Sequence, residues 1–355
     1  MLYFLQGELK MKKKKAGLLI GIGNALVVLV VAVPILISLN TRVTEYPYSP
    51  ELPTPGIGVD IKNDGFAMRA YIAWNKFYNN TASALWRAPE GVAKKNLKVT
   101  ARDGAEIGGY ILEPAGSENE KLTTMLYCHG GAFFMPILPS SLGCAAYYVK
   151  ELNCRVFMPE YRLTPANPYP TPVNDCYDTL KYLAEYKYTD TEKVIIYAES
   201  AGGDLAAEVM HMCRDEDLLK PVAHMLIYPV TDCAQHYASL TEYEHATWSR
   251  EANLNMWKLY LDGREASALP YAVPMLMENY ENFPPVYIEP SEMDTLRDQA
   301  IAYAEKMRTY GVDVTETVIE GAYHGFDGNM DSELVKRTLE ARVNWLKTIE
   351  KESQN

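Results

Sequence analysis

VIIYAESAGG, residues 194–203, is the stretch on which the reading of this chain turns. Four strand-forming residues, Val194 to Tyr197, run into a turn of small residues, and the helix-forming DLAAEVMHMC follows. A strand that turns sharply into a helix can hold a serine hydroxyl up out of a sheet, exposed and ready to attack. The usual pattern for that turn is G-x-S-x-G; here it reads A-E-S-A-G around Ser200. Small residues two before and two after the serine let the turn close without a side-chain clash. Ala198 adds one methyl where glycine is usual, so the pattern is weakened but intact. A five-residue match needs partners elsewhere in the chain.

A serine hydroxyl is a weak nucleophile at neutral pH and needs a base, an acid that orients it, and donors for the oxyanion. His324, in EGAYHGFDG, follows the last predicted strand and precedes the last helix, flanked by Gly321 and Gly325, and is the candidate base. His211, His224, His236 and His245 fall in predicted helix, strand or insertion and read as structural or pocket-lining. The orienting acid should follow the strand PPVYIEP, where SEMDTLRDQ offers Glu292, Asp294 and Asp298. Asp294 lies in the turn itself; Asp298 falls inside the next helix, beside Arg297. For the oxyanion, LYCHGGAFF supplies a strand followed by a side-chain-poor loop, with N–H groups at Gly130, Gly131 and, after the nucleophile, Ala201. His129 reads as a brace for that loop.

These signals stand in the order expected of one family. HGGAF at 129–133, EYRLTPANPYP at 160–170, YAESAGGDLA at 197–206, MDTLRDQA at 293–300 and GAYHGF at 321–326 resemble the hormone-sensitive-lipase-like (HGGG-type) branch of the α/β-hydrolases. That branch includes bacterial carboxylesterases and arylacetamide deacetylase, and the resemblance covers about residues 90–350. It implies an α/β-hydrolase fold, a mostly parallel central sheet flanked by helices with a helical cap. It also implies Ser200 as nucleophile, His324 as base, Asp294 as its partner, and Gly130, Gly131 and Ala201 as the oxyanion hole. The implied activity is hydrolysis of short- to medium-chain carboxylic esters through an acyl-enzyme, without metal or cofactor. The departures are Ala198, Glu199 where aspartate is commoner, and Ala132 for the third glycine. The counterpart of Ala132 faces the acyl pocket in the family, so it bears on substrate range. Two rival readings stay open: an amidase or peptidase on the same fold, and a catalytically silent binding protein.

Alternation of strands (123–128, 154–160, 193–198, 222–229, 284–290, 313–319) with helices independently argues for an α/β domain. LKVTARDGAEIGGYILEP reads as a hairpin through Asp103-Gly104. Residues 60–90 carry helical periodicity, and 332–350 form a last helix. The resulting division is 1–10, a tail left by an expression tag; 11–42, a basic n-region and membrane anchor; 43–90, linker and cap helices; 91–232 and 281–355, the catalytic core. Residues 233–280, rich in Tyr, Trp and Met, read as a cap insertion, helical and lying over one edge of the sheet.

Residues 16–39 are uncharged, mostly apolar and preceded by four lysines, long enough to span a bilayer. The expectation is a single-pass anchor with its N-terminus cytoplasmic and the catalytic domain outside, or else secretion after signal cleavage. Arylacetamide deacetylase carries such an anchor, a precedent within the family. The 355 residues carry a formal net charge of −12. Without residues 1–15, which hold five lysines and one glutamate, 29 basic residues face 45 acidic ones, a net charge of −16. Such a surface repels phosphate backbones and argues against nucleic acid as a partner. The expected partner is a small ester. Six scattered cysteines form no C-x-x-C pair and no metal-like spacing with histidine.

Overall fold

The computed structural model describes residues 46–55 and 66–352. The apolar run 16–39 and the tail 1–10 lie outside the described residues. In chain order the elements are α1 (Phe66–Leu85), β1 (Val92–Asn96), β2 (Val99–Thr100), β3 (Glu106–Pro114), β4 (Leu122–Cys128), α2 (Pro139–Leu152) and β5 (Arg155–Glu160). Next come α3 (Thr171–Glu185), β6 (Thr189–Glu199), α4 (Ala201–Asp215), β7 (Ala223–Ile227), α5 (Ser239–Glu242) and α6 (Arg250–Leu261). The chain continues with β8 (Val286–Glu289), β9 (Ser291–Met293), α7 (Arg297–Thr309), β10 (Val314–Glu316), β11 (Ile319–Tyr323) and α8 (Glu333–Glu352).

The main sheet runs β1-β3-β5-β4-β6-β7-β8-β10, with β2 paired to β3. The pairs β1–β3, β2–β3 and β3–β5 are antiparallel; from β5 through β10 every neighbour is parallel. The expected hairpin is present, with Val99 opposite Ile107 across the Asp103-Gly104 turn. Strand β1 was not anticipated. Its VAKKN sequence alternates weakly and its outer end is exposed, so period-2 patterning is faint at this sheet edge.

The central strands are apolar on both faces because helices cover both. Met125, Tyr127, Ile195, Tyr197, Met225 and Ile227 share one core with side chains of α2 and α8. Leu126, Cys128, Ile196, Ala198 and Leu226 share the other with α3, α4 and α7. A small parallel pair, β9–β11, stands apart from the main sheet and carries the chain into Asp294 and into His324.

The insertion after β7 is less helical than expected: α5, α6 and two single 3₁₀ turns, joined by irregular chain. Its helix α6 covers loops at the carboxyl ends of the strands, while residues 271–280 pack against α4 and α7. The Tyr260 ring stacks on Phe133 at 4.0 Å, and the Tyr169 N–H donates to the Tyr260 carbonyl at 2.9 Å. The reason is burial: Met256, Trp257 and Tyr260 form an apolar stripe on α6, and the apolar surface free to receive it is Phe133 and its neighbours. Ser249 caps α6 by accepting from the Ala252 N–H at 3.0 Å.

Candidate active site

The turn from β6 into α4 is tight enough that backbone dihedrals decide it. Ser200 has φ 53° and ψ −125°, a strained region for a residue with a side chain. The turn is held by three backbone bonds: Ser200 N–H to the Ile227 carbonyl at 3.0 Å, and Gly203 and Val230 N–H groups to the Ser200 carbonyl at 2.8 and 2.9 Å. Gly202 is required by close approach, since a Cβ there would lie 2.0 Å from the Cys128 carbonyl oxygen. Ala198 is fully buried in the sheet opposite Cys128 and Leu226, where its methyl contributes to the core.

Ser200 Oγ lies 2.8 Å from His324 Nε2, and His324 Nδ1 lies 2.7 Å from Asp294 Oδ2. The structure therefore brings together the serine, the base and the acid picked out by sequence. Asp294 is fully buried, and its other oxygen accepts the Leu296 N–H at 3.0 Å. Its neighbours are otherwise occupied: Asp298 pairs with Arg297 at 2.8 Å, as expected, and Glu292 accepts the Gly321 N–H at 2.7 Å.

The oxyanion loop departs from expectation at one residue. Gly130 was expected to donate to the oxyanion, but its N–H donates to Glu199 Oε1 at 3.3 Å. Glu199 also accepts from Tyr127 OH at 2.8 Å and from Ser141 Oγ, so its carboxyl organises the start of the loop. Burial raises its pKa, and the charge of Asp327 adds to the shift. Gly131 (φ 116°) and Ala132 (φ 54°) then turn the chain. Among the described residues, the N–H groups of Gly131, Ala132 and Ala201 make no hydrogen bond. Ala132, read from sequence only as a pocket wall, thus presents the second loop N–H, a geometry that no local sequence signal discloses.

His129 is a brace. It is fully buried, its Nδ1 lies 2.6 Å from the Gly130 carbonyl, and its ring stacks on Tyr161 at 4.2 Å. A carbonyl can only accept, so Nδ1 carries the proton; burial lowers the pKa to about 4 and keeps the ring neutral. Its Nε2 faces Glu160 Oε1 at 4.0 Å. Glu160 accepts the Ile137 N–H at 3.1 Å, and burial pushes its pKa up to about 7. His211 and His224 are buried with pKa values lowered to about 3 by desolvation, which fits structural roles.

Ser200 and His324 open into a cleft of about 310 Å³ lined by Met135, Leu138, Tyr228, Thr247 and Trp248, among others. The Tyr228 and Trp248 rings flank His324 at 4.9 and 6.0 Å, and Thr247 Oγ1 donates to the His324 carbonyl at 3.2 Å. Behind the histidine loop, fully buried Arg342 bridges Asp327 (2.8 Å) and Glu289, while Tyr228 OH donates to Asp327 at 2.5 Å. Sequence reasoning missed this support because its members lie on α8, β8 and two loops. All six cysteines are free. Among the described residues, no group of three His, Cys, Asp or Glu side chains could hold a metal ion.

A strand-nested serine turn, with an imidazole and carboxylate delivered by later loops of a parallel sheet, defines a hydrolase-type scaffold. A family model for the alpha/beta hydrolase fold matches residues 125–328, more than half of the chain, and the chain belongs to that family. Its HGG loop places it in the HGGG-type branch. Ethyl acetate hydrolase of Pseudomonas putida is 27% identical over 266 residues, 73% of this chain and 84% of that protein. Esterase LipI of Mycobacterium tuberculosis is 29% identical over 220 residues, 61% of this chain and 69% of that protein. Among solved structures, a bacterial heroin esterase is 27% identical with a TM-score of 0.72, over 85% of this chain and 98% of that one. Esterase LipW of Mycobacterium marinum, at 24% identity and a TM-score of 0.74 over 81% and 92% of the two chains, shares the fold.

Proposed function

We propose that this chain hydrolyses carboxylic esters with short to medium acyl groups. The observation that carries the reading is the unbroken hydrogen-bonded line Ser200–His324–Asp294 (2.8 and 2.7 Å), opening on a cleft. The relatives named as esterases support the reaction class.

In this reading Ser200 Oγ attacks the ester carbonyl while His324 Nε2 takes its proton. Asp294 holds the ring with Nδ1–H toward itself and stabilises the imidazolium that forms. The N–H groups of Gly131, Ala132 and Ala201 serve the tetrahedral oxyanion, with Gly130 tied back to Glu199. Ala201 is the first residue of α4, so the positive end of that helix faces the developing charge. His324 then passes its proton to the leaving alcohol, leaving an acyl-enzyme that water cleaves by the same steps in reverse. The apolar cleft walls, Met135, Leu138, Tyr228 and Trp248, would hold the acyl or alcohol group. Residues 11–42, outside the described residues, we read as the membrane anchor; resistance to alkaline carbonate extraction tests this.

Hydrolysis of p-nitrophenyl esters from acetyl to dodecanoyl, beside Ser200→Ala, tests the reading. Turnover should peak at short acyl groups and fall by about three orders of magnitude or more in the variant, with the urea midpoint unchanged. A folded wild-type protein inert toward every ester, or a variant that keeps its rate, would overturn it.

A further inference from the structure

Residues 46–55, YPYSPELPTP, read from sequence as linker, yet they lie against the domain as a strap with no helix or strand of its own. Four prolines in these ten residues restrict the backbone, so little conformational freedom is left to lose on docking. One turn interrupts the run, where Pro50 follows Ser49 and the Leu52 N–H donates to the Ser49 carbonyl at 3.0 Å. Beyond it Leu52 is buried in the core shared with α2 and α8, and Glu51 pairs with Arg337 of α8 at 2.8 Å.

The strap lies on β9 and β11, the short pair that ends in Met293 and Tyr323, the residues just before Asp294 and His324. Two strands this short are marginal without outside support. Their ladder is irregular between Ile319 and Tyr323, and the strap fills the gap: the Gly321 carbonyl accepts the Ser49 N–H at 2.9 Å. Gly321 has φ 67°, and a Cβ on it would lie 2.8 Å from the Ser49 nitrogen, so the seat exists because the residue is glycine. Tyr323 OH donates to the Pro53 carbonyl at 3.1 Å, and its ring meets Tyr48 edge-on at 5.2 Å. Tyr46 and Tyr48 pack with Met293, Tyr243 and Ala246 in one apolar cluster, which ties the strap to the cap just before Thr247 and Trp248. Among the described residues the buried Tyr48 hydroxyl finds no hydrogen-bond partner; burial raises its pKa, and the charges of Tyr46 and Asp294 add to the shift.

We propose that residues 46–55 hold Asp294 and His324 in line with Ser200, with Tyr48 and Ser49 as positioning residues. Neither touches the reacting atoms. They act on the two strand ends that the carboxylate and the imidazole follow, where a displacement on the order of 1 Å is enough to slow catalysis sharply. Pro55, at the far end of the strap, lines the cleft and forms part of its wall. The effect on rate rests on the esterase reading; the seating of the strap does not.

The test uses the full chain and p-nitrophenyl acetate. Tyr48→Ala removes the ring, and Gly321→Ala lifts the strap from its seat; each should lower kcat about tenfold with KM within about twofold of wild type. Labelling of Ser200 by a fluorophosphonate should slow in step. The low-field NMR resonance of the proton between His324 Nδ1 and Asp294 should broaden or vanish. Because both substitutions act through one strap, the double variant should be little slower than either alone. Tyr48→Phe should match wild type, since the hydroxyl has no partner to lose. Wild-type kcat with an unchanged resonance in either alanine variant overturns the proposal. So does a change confined to KM, which would leave the strap only a wall of the cleft, or a double variant slowed about a hundredfold, which would make the two sites independent. Activity lost only in proportion to the unfolded fraction, read by circular dichroism, overturns it too. A wild-type protein inert toward every ester would strike the esterase reading, and the resonance and the labelling would still decide the positioning.

Discussion

Two glutamates are buried within nine residues of each other, one on each side of the elbow serine, and they are treated differently. Glu199, just before Ser200, accepts from Tyr127 OH, Ser141 Oγ and the Gly130 N–H. Glu208, two turns into α4, accepts from Tyr260 OH at 2.5 Å, and its second oxygen and both oxygens of Asp204 find no hydrogen-bond donor among the described residues. Burial raises the pKa of all three carboxyls; it carries Glu208 up to about 8, and the charge of Glu208, one helical turn away, raises Asp204 further. Equal burial thus serves opposite ends. The first carboxyl is held by donors and holds the oxyanion loop in return. The second belongs to the contact between α4 and cap helix α6, and it is tolerated there by keeping a proton.

The largest expected effect breaks the turn on which the first cluster depends. Gly202→Ala puts a methyl against the Cys128 carbonyl, and backbone on both sides must move. Loss of about 3 kcal/mol or more in urea unfolding is expected, with activity lost in step. A variant of wild-type stability would mean that the turn is looser than drawn.

Glu199→Leu separates the two clusters more finely. It leaves the Tyr127 hydroxyl, the Ser141 hydroxyl and the Gly130 N–H without their acceptor, at a loss of about 2–3 kcal/mol. Ester turnover should drop at least tenfold as the loop loosens, and Glu199→Gln, which keeps an acceptor oxygen, should restore much of it. Equal damage from both substitutions would show that charge, not hydrogen bonding, is what the site needs.

The smallest effect is a pH slope. Because the folded pKa values of Asp204 and Glu208 lie above those of the unfolded chain, the native state binds more protons than the unfolded state in between. Stability therefore falls as pH rises from the ordinary carboxylate range toward the raised values, by at most about 1.4 kcal/mol per unit for each group. In Glu208→Gln the urea midpoint should fall less between pH 6 and about 9 than in wild type, by the equivalent of about 1 kcal/mol. Parallel curves would place the buried proton elsewhere.

The same contrast separates what could be read from the chain from what could not. Ser200, His324 and Asp294 were legible because each lies in a short turn right after a strand, where a few residues determine the backbone path. His129 was legible as a brace for the same reason. Gly130 was misread because a glycine N–H says nothing about its target; the target, Glu199, comes from a neighbouring strand. Ala132 was missed as a donor for the converse reason, since its exposed N–H follows from that tie. The short strands β9 and β11, three and five residues, carry too little periodicity to find. Arg342 and Trp248 look like ordinary surface and cap residues until the fold brings them behind and beside His324.

By itself, then, the order of strand, turn and helix determined the sheet, the elbow and the three residues lined up at its edge, because periodicity and tight turns are local. Tertiary structure alone decided which N–H groups remain free, where the cap rests and which carboxyls keep their protons. Those depend on desolvation and on donors brought from distant segments, and neither is encoded within a single stretch of chain.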